Sequence, residues 1–172
     1  NKPGLRPTPD RVRETLFNWL GQDLSGWRCF DAFAGTGALG FEAASRGAVV
    51  VQVVEHDAAL VAQLGAIQAK LQASAVTVQR GDGVAMLKQA SPGSLDLIFL
   101  DPPFEGGPFD PALQAAGRAV RPEGFVYLEA PKAWTDEALQ PFGLKTVRHL
   151  KAGAVHAHLL TSLSALSDSR AA

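Results

Sequence analysis

Short apolar runs alternate with amphipathic stretches along most of the chain, and this alternation limits the possible folds more than any other feature. Residues 48–54 form a nearly continuous β-branched run, which is typical of a strand buried on both faces. The following stretch, residues 57–73, carries an apolar stripe at helical spacing, at Leu60, Leu64, Ile67 and Leu71. Such alternation predicts an open α/β sheet with helices on both faces, whose strand C-termini gather at one ligand-binding edge.

The pattern of apolar and polar residues predicts further elements along the chain. Strands are predicted over residues 28–33, 48–54, 76–79, 95–100 and 124–129, with strand-like runs over 144–150 and 154–160. Helices are predicted over residues 8–20, 38–46, 57–73, 83–89 and 111–120, with a weak helix after Trp134. We expect one domain over residues 1–161, of which residues 1–20 are a basic segment and helix, and a flexible polar tail over residues 162–172.

Composition excludes several classes of protein. The single cysteine, Cys29, cannot form an internal disulfide, which favours a reducing cytoplasm. No apolar run approaches the roughly 20 residues of a membrane-spanning helix, and the polar, proline-rich start does not resemble a signal peptide. The net charge of -1 argues against a general nucleic-acid coat protein. A local basic patch nevertheless occupies the first thirteen residues, at Lys2, Arg6, Arg11 and Arg13.

A glycine-rich loop follows the first predicted strand and opens the next predicted helix. Its sequence over residues 31–37, Asp-Ala-Phe-Ala-Gly-Thr-Gly, therefore has the context that a cofactor-binding loop requires. Gly35 and Gly37 allow the backbone to turn tightly and to approach a ligand, although many such turns are purely structural. The predicted cofactor-binding residues of this loop are Asp31, Phe33, Ala34, Gly35, Thr36 and Gly37.

The acid at the start of this loop favours one class of cofactor over another. A dinucleotide places its pyrophosphate at a helix N-terminus, and Asp31 would repel that group. The same carboxylate suits the cationic amino-acid end of S-adenosylmethionine. The loop therefore predicts S-adenosylmethionine rather than NAD.

Acids after the next two strands extend the predicted cofactor site. Glu55 ends the second strand and can accept hydrogen bonds from both ribose hydroxyls, and its neighbour His56 is assigned to the same site. Asp82, followed by Gly83, comes after the third strand and can accept from the adenine amino group. An ordinary turn aspartate is the alternative interpretation of Asp82.

The tetrapeptide Asp101-Pro102-Pro103-Phe104 ends the fourth predicted strand. It is predicted to hold the amine of a nucleobase for transfer of the methyl group of S-adenosylmethionine. An aromatic amine is a weak nucleophile because its lone pair is delocalised into the ring. The Asp101 carboxylate and the Pro102 carbonyl can each accept one amine hydrogen, which would aim the lone pair at the methyl group. Phe104 offers a face on which the base can stack. A plain Pro-Pro turn is the structural alternative.

No metal site is predicted. His156 and His158 share one face of a predicted strand, as a pair of metal ligands can, but no cysteine or carboxylate cluster accompanies them. Packed or exposed histidines are the preferred interpretation.

Three motifs together resemble one bacterial enzyme family. They are Arg-Pro-Thr-x-Asp-Arg-Val-Arg-Glu over residues 6–14, Phe-Ala-Gly-Thr-Gly over residues 33–37, and Asp-Pro-Pro-Phe over residues 101–104. The pattern is similar to the RsmD-type 16S ribosomal RNA guanine-N2 methyltransferases, which use S-adenosylmethionine. The likeness runs from Leu5 to Leu160, and the first motif is the most particular to the family.

The resemblance implies a Rossmann-like class I methyltransferase, with a mostly parallel seven-stranded sheet and an antiparallel last strand. It implies that residues 101–104 grip the N2 amine of a guanine in 16S ribosomal RNA, within a partly assembled small ribosomal subunit. It also implies RNA contacts from the N-terminal segment, at Arg6, Thr8, Arg11 and Arg13. The family usually carries a basic β-hairpin before this segment, and the chain starts inside that region. Nothing in the sequence indicates an obligate dimer, so we expect a monomer.

Three other functions share parts of this pattern. A DNA amino-methyltransferase shares Asp-Pro-Pro-Phe but usually carries an additional target-recognition region, for which this chain has little room. A protein glutamine N5-methyltransferase more often has Asn at the position of Asp101. A nucleotide-binding Rossmann module without transferase activity is the third alternative, and Asp31 argues against it.

Overall fold

A seven-stranded sheet flanked by helices forms the core of the protein, for which a computed structural model describes residues 8–102 and 107–164. The strands within these residues are β1 (Arg28–Asp31), β2 (Val50–Glu55), β3 (Val76–Arg80), β4 (Leu95–Leu100), β5 (Val120–Ala130), β6 (Leu144–Ala152) and β7 (Val155–Ser162). The helices are α1 (Asp10–Leu20), α2 (Ala38–Ser45), α3 (Ala58–Leu71), α4 (Gly83–Leu87), α5 (Phe109–Ala119) and α6 (Asp136–Leu139), the last of which continues into a 3-10 turn at Gln140–Phe142.

The strand order confirms the predicted fold class. The sheet runs β3-β2-β1-β4-β5-β7-β6, and its first five strands are parallel. The last strand of the chain, β7, lies antiparallel between β5 and β6. Because β1 pairs with β2 on one side and β4 on the other, the helical connections leave this point towards opposite faces. A crevice at the carboxyl ends of β1 and β4 follows from this topology.

Two apolar layers cover the two faces of the sheet. Alternate side chains of β4 point to opposite faces, so Ile98 and Leu100 join the layer of α4, α5 and α6. Leu97 and Phe99 join the layer of α1, α2 and α3 on the other face. Burial on both faces explains why residues 97–100 of β4 are a continuous apolar run rather than an alternating one.

Helix α1 packs on the second face through its apolar stripe, where Val12, Leu16 and Phe17 are buried. The rings of Phe17 and Phe99 have centroids 6.4 Å apart. The Arg46 guanidinium, just after α2, lies 4.8 Å from the centroid of the Phe17 ring. Helices α1 and α2 are thus joined by a stacked contact as well as by the apolar layer.

Several predicted boundaries differ from those observed by a few residues, among them the start of β5 and the end of β7. Strand β5 begins at Val120 rather than at residue 124, because Val120 pairs with Leu95 before a register shift. Gly124 lies at this irregularity, where a Cβ would come within 2.7 Å of the Asp96 carbonyl oxygen. Strand β7 continues through Ser162, the first residue of the predicted tail, and residues 165–172 lie outside the described residues. No helix of the described chain is long and apolar enough to cross a membrane.

Candidate active site

Four acidic side chains lie at one edge of the sheet because parallel strands end there together. Asp31 and Glu55 are the last residues of β1 and β2, and Asp101 directly follows β4. Glu129 is the penultimate residue of β5. Three of them are buried, with exposed fractions of 2% for Asp31, 7% for Glu55 and 6% for Glu129. Buried carboxylates are costly unless they find hydrogen-bond donors or cations, so this edge is suited to polar or cationic ligands.

The predicted cofactor loop adopts a glycine-dependent turn between β1 and α2. Gly35 and Gly37 have φ values of +55° and +82°, which favour glycine. A Cβ on Gly37 would also come within 2.5 Å of the Leu64 side chain. Of the remaining loop residues, Ala34 is buried, Phe33 is half-buried and Thr36 is exposed. The turn is therefore fixed both by backbone conformation and by close packing.

Glu55 holds this loop from the neighbouring strand. Its Oε1 accepts a hydrogen bond from the Gly35 N–H at 2.9 Å, and its Oε2 accepts from the Asp57 N–H at 2.9 Å. The Nδ1 atom of His56 lies 3.3 Å from the same Oε2, while the His56 side chain is 81% exposed. The sequence predicts ribose contacts for Glu55 but not these backbone contacts. Since each carboxylate oxygen can accept more than one hydrogen bond, the two roles are compatible.

Asp82 caps a helix in the structure. Its Oδ1 accepts a hydrogen bond from the Ala85 N–H at 3.1 Å, at the start of α4. The alternative interpretation of Asp82, as a local structural aspartate, therefore accounts for one of its oxygens. Gly83 is the first residue of α4 and is buried.

Asp31, at the start of the predicted cofactor loop, has a perturbed carboxyl group. Its Oδ1 accepts a hydrogen bond from the Phe33 N–H at 3.2 Å. Burial raises the pKa of Asp31 to about 7, and repulsion from Glu55 and Glu129 adds to the increase. A cationic ligand group beside Asp31 would relieve both effects.

Asp101 and Glu129 meet at the ends of adjacent strands. Leu100 pairs with Leu128. Asp101 and Glu129 are the next residues of the two strands and therefore lie side by side. The Thr8 hydroxyl donates to Glu129 Oε2 at 2.8 Å and lies 3.4 Å from Asp101 Oδ2. The Tyr127 hydroxyl also donates to Glu129 Oε2, at 2.8 Å, and burial and the neighbouring acids raise the pKa of Tyr127.

The remaining predicted catalytic residues lie beside Asp101. Pro102 is buried directly after it. Pro103 and Phe104 lie outside the described residues. The structure thus describes both hydrogen-bond acceptors proposed for the amine, the Asp101 carboxylate and the Pro102 carbonyl.

The predicted RNA-binding residues have three different environments. Arg6 lies outside the described residues, and Arg11 is exposed. Arg13 forms an ion pair with Asp10 at 3.2 Å and lies 3.9 Å from a Glu42 oxygen. Thr8 is only 8% exposed and its hydroxyl is engaged by the carboxylates. Of the predicted RNA-binding residues that the structure describes, Arg11 is therefore the one that is exposed, whereas Arg13 and Thr8 are engaged by acidic side chains.

Three histidines cluster where β6 and β7 pair. His158 is buried, with Nδ1–H donating to the Leu128 carbonyl at 3.2 Å and Nε2 accepting from the Trp134 N–H at 3.0 Å. Burial lowers the pKa of His158 to about 4, so its ring is neutral. His149 and His156 contact each other through ring nitrogens 3.0 Å apart. Within residues 8–102 and 107–164, no group of three or more potential metal-binding side chains is arranged to hold an ion.

Glu129 and Tyr127 belong to this edge but were not predicted from the sequence. Their signal lies in the stretch Val126-Tyr127-Leu128-Glu129-Ala130, where a hydroxyl and a carboxylate interrupt an otherwise apolar buried strand. A charged residue in such a strand requires a partner. The partner, Thr8, is 121 residues away in the sequence.

Known proteins resemble this chain in sequence. Ribosomal RNA small subunit methyltransferase D of Escherichia coli strain K12 is 45% identical over 107 residues, which cover 62% of this chain and 54% of that protein. The chain thus spans about half the length of this relative. The protein of the same name from Haemophilus influenzae is 39% identical over 137 residues, which cover 77% of this chain and 71% of the relative.

Solved structures and a family model agree with these matches. The proposed methyltransferase yhhF from Escherichia coli superposes with a TM-score of 0.79 at 35% identity, covering 94% of this chain and 90% of that one. A proposed methylase from Haemophilus influenzae has a TM-score of 0.74 at 32% identity, covering 91% and 99% of the two chains. The family model described as "Conserved hypothetical protein 95" matches residues 1–161. The chain therefore belongs to the conserved hypothetical protein 95 family, the RsmD family that its three motifs resemble.

Proposed function

We propose that the protein transfers a methyl group from S-adenosylmethionine to the exocyclic N2 amine of a guanine in 16S ribosomal RNA, during maturation of the small subunit. The observation that carries this proposal is the placement of Asp31 and Asp101 at the ends of two adjacent strands. Asp31 pairs with Phe99, two residues before Asp101, so both acids belong to the same face of the sheet. The names of the Escherichia coli and Haemophilus influenzae relatives support a ribosomal RNA substrate.

The residues at this edge fit the proposed cofactor. Asp31 is a buried acid whose raised pKa calls for a cation, as the amino-acid end of S-adenosylmethionine provides. Glu55, on the next strand, would hold the ribose, and Asp82, after the strand beyond it, would hold the adenine. The backbone of the turn at Gly35 and Gly37 lies beside the same edge, since the Gly35 N–H donates to Glu55 at the end of β2. When bound, the cofactor supplies an electrophilic methyl group on a sulfonium.

Asp101 and Pro102 would prepare the amine for attack. The guanine N2 amine has two hydrogens, and the Asp101 carboxylate and the Pro102 carbonyl would each accept one. This fixes the orientation of the nitrogen lone pair, and the carboxylate stabilises the positive charge that develops on nitrogen. As the N–C bond forms, the bond from the methyl group to sulfur would break and leave a neutral thioether, and the nitrogen would lose a proton to Asp101 or to solvent. Phe104 is proposed as the stacking face for the base. Because these groups lie at the edge of the sheet, the guanine must leave its stack to reach them.

RNA would approach from the side of α1, whose residue Arg11 is exposed. Charge attraction to phosphates orients the substrate without reading its sequence. We propose a partly assembled small ribosomal subunit as the partner, a monomeric enzyme acting in the cytoplasm, and residues 1–161 as the methyltransferase domain.

The decisive experiment measures methyl incorporation from labelled S-adenosylmethionine. Small ribosomal subunits from cells that lack the native activity are the test substrate, with free 16S RNA, DNA and ribosomal protein as parallel substrates. We expect N2-methylguanosine in the nucleosides of the subunit RNA. Label in DNA or protein alone would keep the methyltransferase and refute the ribosomal substrate. Absence of cofactor binding would refute both.

A further inference from the structure

The Thr8 hydroxyl lies between two carboxylates from adjacent strands. Its oxygen is 2.8 Å from Glu129 Oε2 and 3.4 Å from Asp101 Oδ2. These contacts cross 121 and 93 residues of sequence, so they exist only in the folded chain. Thr8 directly precedes Pro9, the residue that caps α1. The contact therefore links the segment before α1 to the edge of the sheet that carries the proposed catalytic acid.

The distances show which carboxylate anchors the hydroxyl. A threonine hydroxyl has one hydrogen, and the shorter contact assigns it to Glu129. The same Oε2 atom also accepts from the Tyr127 hydroxyl, and Tyr127 is fully buried. Glu129 is thus held by two hydroxyl donors and in turn fixes the Thr8 oxygen next to Asp101.

Asp101 lies just beyond the paired part of the sheet. The paired register of β4 and β5 ends at Leu100 and Leu128, one residue before Asp101. Beyond the last paired residue, the direction of a side chain depends on contacts with its surroundings. A displacement of about 1 Å at a catalytic group can reduce a rate by as much as about 100-fold.

We propose that Thr8 is a positioning residue for Asp101, and that Glu129 is the buried anchor that holds Thr8 in place. This inference rests on the proposed methyl transfer and deepens it, since it names the contact that orients the acceptor of the amine hydrogen. It also joins substrate docking to catalysis. Thr8 lies three residues before Arg11, so RNA bound at α1 acts on the same backbone segment that orients Asp101.

The test compares three threonine variants. T8V removes the hydroxyl and keeps the shape, whereas T8S keeps the hydroxyl. T15V is the matched control, because the Thr15 hydroxyl donates to the Arg11 carbonyl within α1. The rate constant kcat, the KM for RNA and the dissociation constant for S-adenosylmethionine are measured for each. We expect T8V to lower kcat by about 10- to 100-fold. The KM for RNA and the dissociation constant for S-adenosylmethionine should both stay within about twofold of the wild type. T8S and T15V should retain most of the rate.

E129Q provides an independent variant should T8V fold poorly. It removes the negative charge that holds Thr8, and we expect a lower kcat with unchanged cofactor affinity. Because Thr8 and Glu129 act as one unit, the double variant should lose no more rate than the worse single variant. The inference would be overturned if T8V kept the wild-type kcat, or if the losses of kcat in T8V and E129Q were fully additive in the double variant. The proposed function would still stand in either case, provided that the wild-type protein methylates RNA. If the wild-type protein methylates no RNA, the proposed function and this inference fail together.

Discussion

Gly83, the first residue of α4, lies directly against the carbonyl group of Ala32, the residue that follows β1. A Cβ on Gly83 would be 1.8 Å from that oxygen, which no side chain tolerates. Ala32 belongs to the glycine-rich loop and Asp82 caps α4, so the contact joins two segments of the proposed cofactor site. Gly83, assigned to the cofactor from sequence, has a demonstrable role in bringing these segments together.

We therefore predict that G83A destabilises the protein by about 2 kcal/mol or more, because α4 must move away from β1. G65A is the matched control. Gly65 lies within α3, where an added Cβ meets nothing within 4 Å, so alanine should stabilise the helix by about 0.5–1 kcal/mol. Urea unfolding of both variants measures the difference. Equal stabilities for G83A and the wild type would show that the two segments can separate freely.

The buried acid of the cofactor loop predicts a pH dependence of stability. The pKa of Asp31 is raised from 3.8 to about 7 in the folded protein, so folding favours its protonated form. Its contribution to stability is complete below pH 3.8 and is lost as the pH rises through 7. Without cofactor, D31N should be more stable than the wild type at pH 8, by as much as about 4 kcal/mol, and have no such advantage at pH 4.

The same variant tests the proposed cofactor contact. Addition of S-adenosylmethionine at pH 8 should stabilise the wild type more than D31N, because only the wild type offers a carboxylate to the ammonium group. Thermal unfolding with and without cofactor measures both effects. Unfolding free energies that differ by a constant amount from pH 4 to pH 8 would contradict the assignment of the raised pKa to Asp31.

Removal of the proposed catalytic carboxylate should separate chemistry from cofactor binding. We predict that D101A lowers kcat at least about 100-fold and leaves the dissociation constant for S-adenosylmethionine within about twofold. D110A makes the same change at an exposed acid in the first turn of α5 and should behave as the wild type. Single-turnover methylation and equilibrium binding provide the two measurements. Wild-type turnover by D101A would exclude Asp101 from catalysis.

The two described arginines of α1 should contribute unequally to RNA binding. Arg11 is exposed, whereas the charge of Arg13 is partly neutralised by Asp10 and Glu42. R11E should weaken RNA binding more than R13E. The difference in RNA affinity between R11E and the wild type should become smaller as salt rises from about 50 to 200 mM. Fluorescence anisotropy at both salt concentrations measures this. Unchanged affinity of R11E at low salt would place the RNA site elsewhere on the protein.

Local sequence pattern predicts an element correctly when contacts with other parts of the chain favour the same conformation. The boundaries of β4 are those predicted, residues 95–100, because an apolar run ends there at Asp101 and two prolines. The start of β5 is not predicted, since Pro122 and Gly124 are typical of loops. Only the pairing of Val120 with Leu95, and the close fit of Gly124 against Asp96, place these residues in a strand.

The candidate site likewise contains residues that are predictable from local sequence and a contact that is not. Asp31, Glu55 and Asp101 are predictable because each follows an apolar strand, and strand ends meet at one edge. The Thr8–Glu129 contact depends on where α1 settles on the sheet, and no local pattern contains that information. The motif around Thr8 suggested a surface residue, yet packing of α1 turns its hydroxyl inward.

The link between α1 and α2 has a thermodynamic consequence. Arg46 contacts the Phe17 ring and also forms an ion pair with Glu42, which lies close to Arg13. The two helices should therefore open as one cooperative unit, with similar hydrogen-exchange protection. Helix α2 starts at the glycine-rich loop and α1 starts after Thr8, so order imposed at either end stabilises the other. Any effect of a ligand at the loop on binding at the first turn of α1 would then be matched by an equal effect in the other direction.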